Sequence, residues 1–380
     1  MILSDKHKEM QATFRNFAET EFRPELLDTL ERTDKFDWDM HHKMAAAGLL
    51  GLKIPTEYGG QGADNLAYVL MVEELARISP VLSLYANTPN SLGAGPLLLC
   101  GSEEQKKRYL PPVARGEKLL VFALTEPGAG SDAGGTRTTA VQDGKYFILN
   151  GRKTFISGAP FSDYAIVYAK TDTALKGSRG ISMFIVDMKL PGVSTGKPEH
   201  KMGIIGYPTS DIVLEDVRVH VSDLLGPLHN GFITAMKTLD GGRLGVAAQA
   251  VGIAQGCLDE TIRFAKTTDD SGQRAGDSQA VGFMIAEMAT ELEAARELLY
   301  STAVMRDENV GDITRRCSMS KYFASEACNR IAGKAVRIHN EYGCIRGNRV
   351  ERLYRDARIT TIYEGTTQVQ QMVIAGSLLR

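Results

Sequence analysis

The feature of this 380-residue chain that most restricts its fold is a double change of hydrophobic period. From residue 1 to about 120 the pattern is helical. The segment Leu66–Ile78 carries Leu66, Val69, Leu70, Val72, Leu75 and Ala76 at mixed but helix-compatible spacing. Ser102 reads as an N-cap with Glu103 and Glu104 in the first turn, and Pro111-Pro112 are expected to stop that helix. From about 120 to 225 the texture becomes alternating. Tyr146 and Ile148, then Ala165, Val167 and Ala169, then Ser182, Phe184 and Val186 repeat every second residue, as do the pair Ile212 and Leu214 and the pair Val217 and Val219. Turns at Asp143-Gly144, Asn150-Gly151 and Pro191-Gly192 separate them, which predicts a small antiparallel sheet or barrel. From about 231 onward the helical period returns. Val246, Ala250, Ile253 and Cys257 form one stripe, and Ile285, Met288, Leu292, Ala295, Leu299 and Thr302 another. Long helices with few breakers suit a four-helix bundle.

One hydrophobic core stops growing at roughly 250–300 residues, so a chain of this length must build more than one. The expected class is α+β, with helices at residues 1–120, a β domain at 121–230 and a helical bundle at 231–380. A 43% hydrophobic and 24% charged composition excludes a largely disordered chain. The formal net charge of −2 gives no electrostatic reason to propose a nucleic acid or an anionic membrane as partner. Five scattered cysteines without a CxxC pair argue against a disulfide framework or a zinc ribbon and read as buried free thiols. The early charges of MILSDKHKEM leave no signal-peptide core, and the apolar run Ala45–Leu52 is far short of the roughly 20 residues of a membrane helix. A cytoplasmic location is expected, with no membrane span. His41 and His42 point about 100° apart on a helix, a poor arrangement for joint metal ligation, and read as a surface helix. No metal site is expected. The arginines at 346, 349, 352, 355 and 358 read as ion-pair partners of Glu351 and Asp356.

The loop Phe122–Asp132 carries chemistry. Gly128 and Gly130 allow a ligand to approach the backbone closely, with the hydroxyls of Thr125 and Ser131 beside them. It is neither a GxGxxG turn between strand and helix nor a Walker loop, so a nicotinamide Rossmann site is not supported. On its own, a glycine-rich loop is weak evidence.

Taken with two later stretches it becomes specific. TEPGAGSD at 125–132, GRKTFISG at 151–158 and IYEGTTQ at 362–368 resemble the acyl-CoA dehydrogenase flavoprotein family in order and spacing. LDGGRLGVAAQAVGIAQ at 239–255 and RLYRDARIT at 352–360 extend the match along essentially the whole chain, with most likeness to the short-chain, butyryl-type branch. The resemblance implies an N-terminal helical domain, a middle antiparallel β domain and a C-terminal four-helix bundle. It also implies FAD, an acyl-CoA substrate, an electron-transferring flavoprotein as redox partner and a tetramer.

The implied reaction is α,β-dehydrogenation of a short, branched or cyclic acyl-CoA to the trans-2-enoyl-CoA. The family's base falls on Glu364, which takes the α-proton while hydride passes to flavin N5. Such a base must be positioned, and burial beside an apolar acyl chain would raise its pKa toward working pH. The developing enolate needs donors on the thioester oxygen, by resemblance the Glu364 N–H and a flavin ribityl hydroxyl. Some branches carry the base at the position of Gly242, which has no carboxylate here. By the same resemblance Phe122, Leu124, Thr125, Gly130, Ser131, Phe155, Ile156, Ser157, Gln279, Thr366 and Gln368 contact the cofactor. Ser131, Asp240, Arg243 and Gly365 lie on the substrate side. The same residues serve the reverse reaction, enoyl-CoA reduction. A non-redox lyase on this fold is a further alternative.

Three stretches depart from the family pattern. An Arg-x-x-Phe-Gly motif that completes a neighbouring subunit's FAD site reads Thr268-Asp269-Asp270-Ser271-Gly272. A Gln-x-x-Gly-Gly motif for the diphosphate reads Arg337-Ile338-His339-Asn340-Glu341, with acid where phosphate would sit. Either a second acyl-CoA dehydrogenase-like subunit supplies the missing groups in an α2β2 hetero-tetramer, or a homo-tetramer binds FAD through substitutes such as Arg274 or Arg337. The third departure, Gly203-Ile-Ile-Gly-Tyr-Pro-Thr209, is expected to reshape the β-domain surface or the acyl pocket.

Overall fold

A computed structural model describes residues 1–268 and 272–380. Helices α1 (Asp5–Glu21), α2 (Pro24–Thr33), α3 (Trp38–Ala46), α4 (Asn65–Ile78), α5 (Pro80–Thr88), α6 (Ala94–Cys100) and α7 (Glu103–Ala114) come first. Strands β1 (Leu120–Ala123), β2 (Thr139–Asp143), β3 (Tyr146–Ser157), β4 (Tyr164–Lys170), β5 (Ile181–Asp187), β6 (Val193–Thr195), β7 (Thr209–His220) and β8 (Leu224–Leu225) follow. Helices α8 (Gly231–Lys266), α9 (Gln279–Asp307), α10 (Ile313–Ile338), α11 (Arg349–Ala357) and α12 (Thr367–Leu378) close the chain.

The mixed pattern of α4 has a simple cause. Asp64 caps it by accepting from the Ala67 N–H at 2.8 Å, and from Leu66 to Ala76 every residue is buried, so no polar face is needed. Even its acids are internal. Glu73 accepts from Arg296 on α9 at 2.9 Å and from the Tyr300 hydroxyl at 2.7 Å, and Glu74 accepts from Arg15 on α1 at 2.7 Å. These paired charges fix α4 between two neighbours.

At α7 the expected stop is corrected. Ser102 and Gln105 form a capping box as read, but the helix runs through Pro111 and Pro112 to Ala114. The two prolines forgo only two backbone donors in the final turns, and buried Tyr109, Leu110 and Val113 hold that end down. The chain turns where Gly116 takes a φ of +68°. His41 is also corrected. It faces inward beside Met40 and Met44, with Nε2 3.1 Å from the Gly116 carbonyl, and burial pushes its pKa down to about 4. Adjacency had placed the pair on a surface helix, but only His42 is exposed. The cysteines divide as well: Cys257, Cys317 and Cys328 are buried, whereas Cys100 is half-buried and Cys344 exposed.

The sheet runs β6-β7-β3-β2-β4-β5-β8, with β1 attached to β4. Most pairs are antiparallel, and β1–β4 and β2–β4 are parallel. Strands β4 and β5 are buried on both faces. Ile166, Tyr168, Met183 and Ile185 face α6, α7 and the start of α8, while Ala165, Val167, Phe184 and Val186 face Phe147, Leu149 and β7. Side chains alternate across a strand, so one strand closes two cores. Each large aliphatic or aromatic side chain buried there contributes about 1.5–3 kcal/mol.

The segment 203–209 is mostly buried and stands apart from the domain surface, with Ile205 bordering a small cleft beside Leu353 and Asp356. Tyr207 is buried against Phe36 and Phe161, each at a centroid distance of 5.7 Å, and the Tyr85 hydroxyl donates to the Gly206 carbonyl at 3.0 Å. Asp356 accepts from the Ile204 N–H at 2.5 Å instead of pairing with an arginine, and burial raises its pKa to about 7. Arg355 does pair with Glu351, at 2.8 Å. The segment is therefore the seam joining the sheet to the N-terminal helices and to α11. Among the described residues no helix is long and apolar enough to cross a membrane.

Candidate active site

Two of the sequence motifs are welded together beneath the site. Lys153 on β3 is fully buried, and its Nζ donates to Glu126 at 2.7 Å and to the Leu124 carbonyl at 3.1 Å. The Glu126 carboxylate also accepts from the Thr138 hydroxyl at 2.6 Å, the Thr138 N–H at 3.1 Å and the Arg137 N–H at 2.7 Å. Four donors thus meet this carboxylate, three on Oε1 and one on Oε2, as a buried charge requires. The Thr154 N–H donates to the Thr125 carbonyl at 2.9 Å. The pairing of β3 with β7 is irregular between Lys153 and Ile156, and Phe155 takes a φ of +55° there. A bulge of this kind re-aims side chains. Lys153 and Ile156 point inward, and the Phe155 ring stands 64% exposed.

The opposite wall comes from the turn before α12. Glu364 adopts a φ of +54° and is followed by Gly365 at +98°. An L-residue holds such a conformation only where its surroundings over-determine it. Here Lys321 on α10 donates to the Gly365 carbonyl at 2.6 Å, Gln370 donates to the same carbonyl at 2.9 Å and to that of Glu364 at 3.3 Å, and the Tyr363 hydroxyl bonds Gln249 Oε1. Lys321 is buried, which lowers its pKa to about 8. The Glu364 Oε2 is enclosed and has no hydrogen-bond partner among the described residues. Desolvation raises the carboxyl pKa to about 7, against the opposing pull of Lys321 and Arg243. Gly242 on α8 makes the room, because a Cβ there would overlap Glu364 Oε2. Arg243, next along, donates to Asp240 at 2.7 Å, and Asp240 accepts from the Thr314 hydroxyl at 2.7 Å.

Between these walls lies a cavity of about 410 Å³. Phe122, Leu124, Thr125, Gly130, Ser131, Phe155, Ile156 and Ser157 line its sheet side, and Arg243, Glu364 and Gly365 its bundle side. The remaining expected contacts do not reach it within this chain. Asp240 lies behind Arg243, Thr366 caps α12 by accepting from the Val369 N–H at 3.3 Å, and Gln368 and Gln279 are exposed. Thr268, Arg337 and Glu341 are exposed and away from the cavity, and Asp269, Asp270 and Ser271 lie outside the described residues. Sequence reasoning missed Lys321, Gln370, Asn87 and Ser91. The last two belong to α5 and to the π-helical turn Pro89–Gly93 and line the cavity, and such turns mark functional sites often enough to be a signal once seen.

A flat apolar group edged by hydrogen-bonding atoms fits the sheet side. Nothing lies within 4 Å of a Cβ built at Gly128 or Gly130, Phe155 offers an aromatic face, and Thr125 and Ser157 offer hydroxyls. An enclosed carboxyl with a pKa near 7 opposite such a surface can move a proton to or from a substrate carbon.

Family models for acyl-CoA dehydrogenase match the N-terminal domain over residues 4–117, the middle domain over 121–217 and the C-terminal domain over 229–379. The chain belongs to the acyl-CoA dehydrogenase family. Acyl-CoA dehydrogenases are FAD-dependent oxidoreductases, and the residues lining the sheet side fit the ring end of that cofactor. The caffeyl-CoA reductase-Etf complex subunit CarC of Acetobacterium woodii is 56% identical over 380 residues, with all of both chains covered. The 3-(aryl)acrylate reductase of Clostridium sporogenes is 53% identical over 381 residues, again with full coverage of both. Among solved structures, butyryl-CoA dehydrogenase from Megasphaera elsdenii superposes with a TM-score of 0.95 at 38% identity, covering 100% of each chain. The acyl-CoA dehydrogenase fold, with helical domains on either side of a β domain, agrees with the expectation from period and motif.

Proposed function

We propose that this acyl-CoA dehydrogenase interconverts a saturated acyl-CoA and its trans-2-enoyl-CoA, and that its working direction is reduction of a 3-arylacrylyl-CoA. The observation that carries the chemistry is Glu364 Oε2, enclosed, unpartnered and facing the cavity with a carboxyl pKa of about 7. The direction and the aryl group rest on the relatives whose names describe caffeyl-CoA and 3-(aryl)acrylate reduction at more than half identity. This departs from the expectation of a short, branched or cyclic acyl group, and it favours the reverse reaction over dehydrogenation.

Bound FAD supplies a two-electron carrier that gives hydride to, or takes it from, the substrate Cβ. In the reducing direction Glu364, protonated, delivers its proton to Cα, and the Cα=Cβ π bond is consumed as Cα–H and Cβ–H form. In the oxidising direction the carboxylate takes the α-proton back. Lys321 and Gln370 hold the Glu364 and Gly365 carbonyls away from the substrate, and the Glu364 N–H is left without a partner among the described residues. That N–H is our candidate donor to the thioester oxygen as negative charge builds there. The apolar lining from Leu84, Leu92 and Leu239 excludes water from the enolate. An electron-transferring flavoprotein is the proposed electron donor, in line with the Etf complex of the Acetobacterium relative. The acids at 269, 270 and 341 favour a hetero-tetramer over a homo-tetramer.

Glu364→Gln tests the assignment. The variant should lose solvent-deuterium exchange at Cα of 3-phenylpropionyl-CoA by at least about 10³-fold while CoA-ester affinity changes little. Exchange at the wild-type rate would remove Glu364 from the proton transfer.

A further inference from the structure

The cavity wall beyond Glu364 is not uniformly apolar. Asn87 and Ser91 both line it and are almost fully buried, at 2% and 5% exposure. Tyr68 of α4 stands behind them, and its hydroxyl donates to Asn87 Oδ1. The Ser91 hydroxyl donates to the Asn87 carbonyl at 2.8 Å and lies 3.2 Å from Asn87 Oδ1. The single Ser91 proton goes to the backbone carbonyl, and the amide oxygen is served from inside the chain by Tyr68. The donor end of the amide is not: Asn87 Nδ2 has no acceptor among the described residues, and Ser91 Oγ, whose proton goes to the Asn87 carbonyl, can still accept. A buried amide that leaves its N–H₂ unpaired forgoes on the order of 1–3 kcal/mol unless a ligand or water meets it.

Helix α8 fixes where this cluster lies. Gly242 backs Glu364, and Gly245 backs Tyr68 and Asn87, since a Cβ at Gly245 would overlap both the Tyr68 hydroxyl and the Asn87 amide. The two glycines are three residues apart, about 4.5 Å along the helix axis. That offset is the scale of one benzene ring. The intervening wall, from Leu84, Leu92 and Tyr363, is apolar or aromatic.

We infer that Asn87 and Ser91 recognise a hydroxyl on the ring of the acyl group, at the position remote from the thioester. This rests on the aryl-acyl reading above and narrows it. A phenolic hydroxyl is both acceptor and donor, so it can take a hydrogen from Asn87 Nδ2 and give its own to Ser91 Oγ. A ring without the hydroxyl leaves the amide unpaired, and a site built for a hydroxyl discriminates strongly against the analogue that lacks it. Tyr68 acts as a positioning residue: by occupying Asn87 Oδ1 it turns the donor end of the amide to the cavity.

Calorimetric titration of the FAD-loaded protein tests this with three probes: 3-(4-hydroxyphenyl)propionyl-CoA, 3-phenylpropionyl-CoA and butyryl-CoA. The hydroxylated ester should bind at least about tenfold more tightly than the phenyl ester. Asn87→Leu and, separately, Ser91→Ala should shrink that ratio toward one, and a wild-type flavin content and circular dichroism spectrum show that each variant is folded. Equal binding of the two aryl esters by the wild-type protein, or an unchanged ratio in both variants, overturns the assignment and leaves the aryl-acyl reading standing. Tight binding of butyryl-CoA with no detectable binding of either aryl ester overturns the aryl-acyl reading, and the assignment with it.

Discussion

A carboxyl group held near pKa 7 is almost evenly divided between its two protonation states at neutral pH, and Glu364 is in that position because burial opposes its charge while Lys321 and Arg243 favour it. The two reaction directions need opposite states. For oxidation of 3-phenylpropionyl-CoA, kcat/KM should rise as pH increases through about 7, because the base form is required. For reduction of 3-phenylacrylyl-CoA it should fall through the same pH, because the acid form is required. Lys321→Met removes a cation that lowers the Glu364 pKa, so both inflections should move to higher pH. Steady-state rates in both directions on one preparation check this, and two profiles of the same sign would sink the role given to Glu364. The identity of this residue was legible in Tyr363-Glu364-Gly365-Thr366 by resemblance. Its environment was not, because a buried lysine and glutamine in ordinary helical stretches carry no mark in sequence of what they face.

Elements decide whether the motifs can meet. The glycine-rich loop and β3 read as two separate stretches, and only the folded chain joins them through Lys153 and Glu126. Lys153→Met leaves Glu126 buried without its cation, and its burial lowers the Lys153 pKa only to about 8, so the native pair is charged at neutral pH. Loss of about 3–5 kcal/mol of stability is expected, together with weaker FAD retention. Urea unfolding and flavin absorbance measure the two effects, and a change below about 1 kcal/mol would deny the clamp its importance. On α8 the residue at 242 was read as an empty base position, whereas in three dimensions it is also the space that Glu364 fills. Gly242→Ala should displace the carboxylate and lower kcat by about 10² or more, with little change in CoA-ester affinity. Wild-type turnover in that variant would show that Glu364 needs no such room. Period was a good guide to α4 and to the strands, but not to the end of α7. Local rules put the stop at Pro111, and tertiary burial of Leu110 and Val113 carried the helix past it.

At the scale of the molecule, three cores meet at seams that hold ionisable groups. Asp356 on α11 accepts from Ile204 across one seam, and its folded-state pKa of about 7 exceeds the ordinary aspartate value near 4. The folded protein thus binds more protons than the unfolded chain between those values. The stability this contributes is fully present below about pH 4 and is lost as pH rises toward about 7. Asp356→Asn cannot titrate, so its unfolding free energy should fall less between pH 5 and pH 8, by on the order of 2 kcal/mol, than that of the wild-type protein. Equal slopes in urea titrations at the two pH values would exclude Asp356 as the source. By itself the sequence determined the succession of helical, alternating and helical segments and the family motifs in which Glu364 and the sheet-side residues of the cavity stand, because both are local patterns of residue type along the chain. The tertiary structure alone decided which polar groups are buried and what they meet: the Lys153–Glu126 clamp, the seam at 203–209, and the Asn87–Ser91 wall one turn from Glu364. Desolvation and hydrogen bonding depend on neighbours brought from 19 to more than 150 residues away, and no local pattern records those distances.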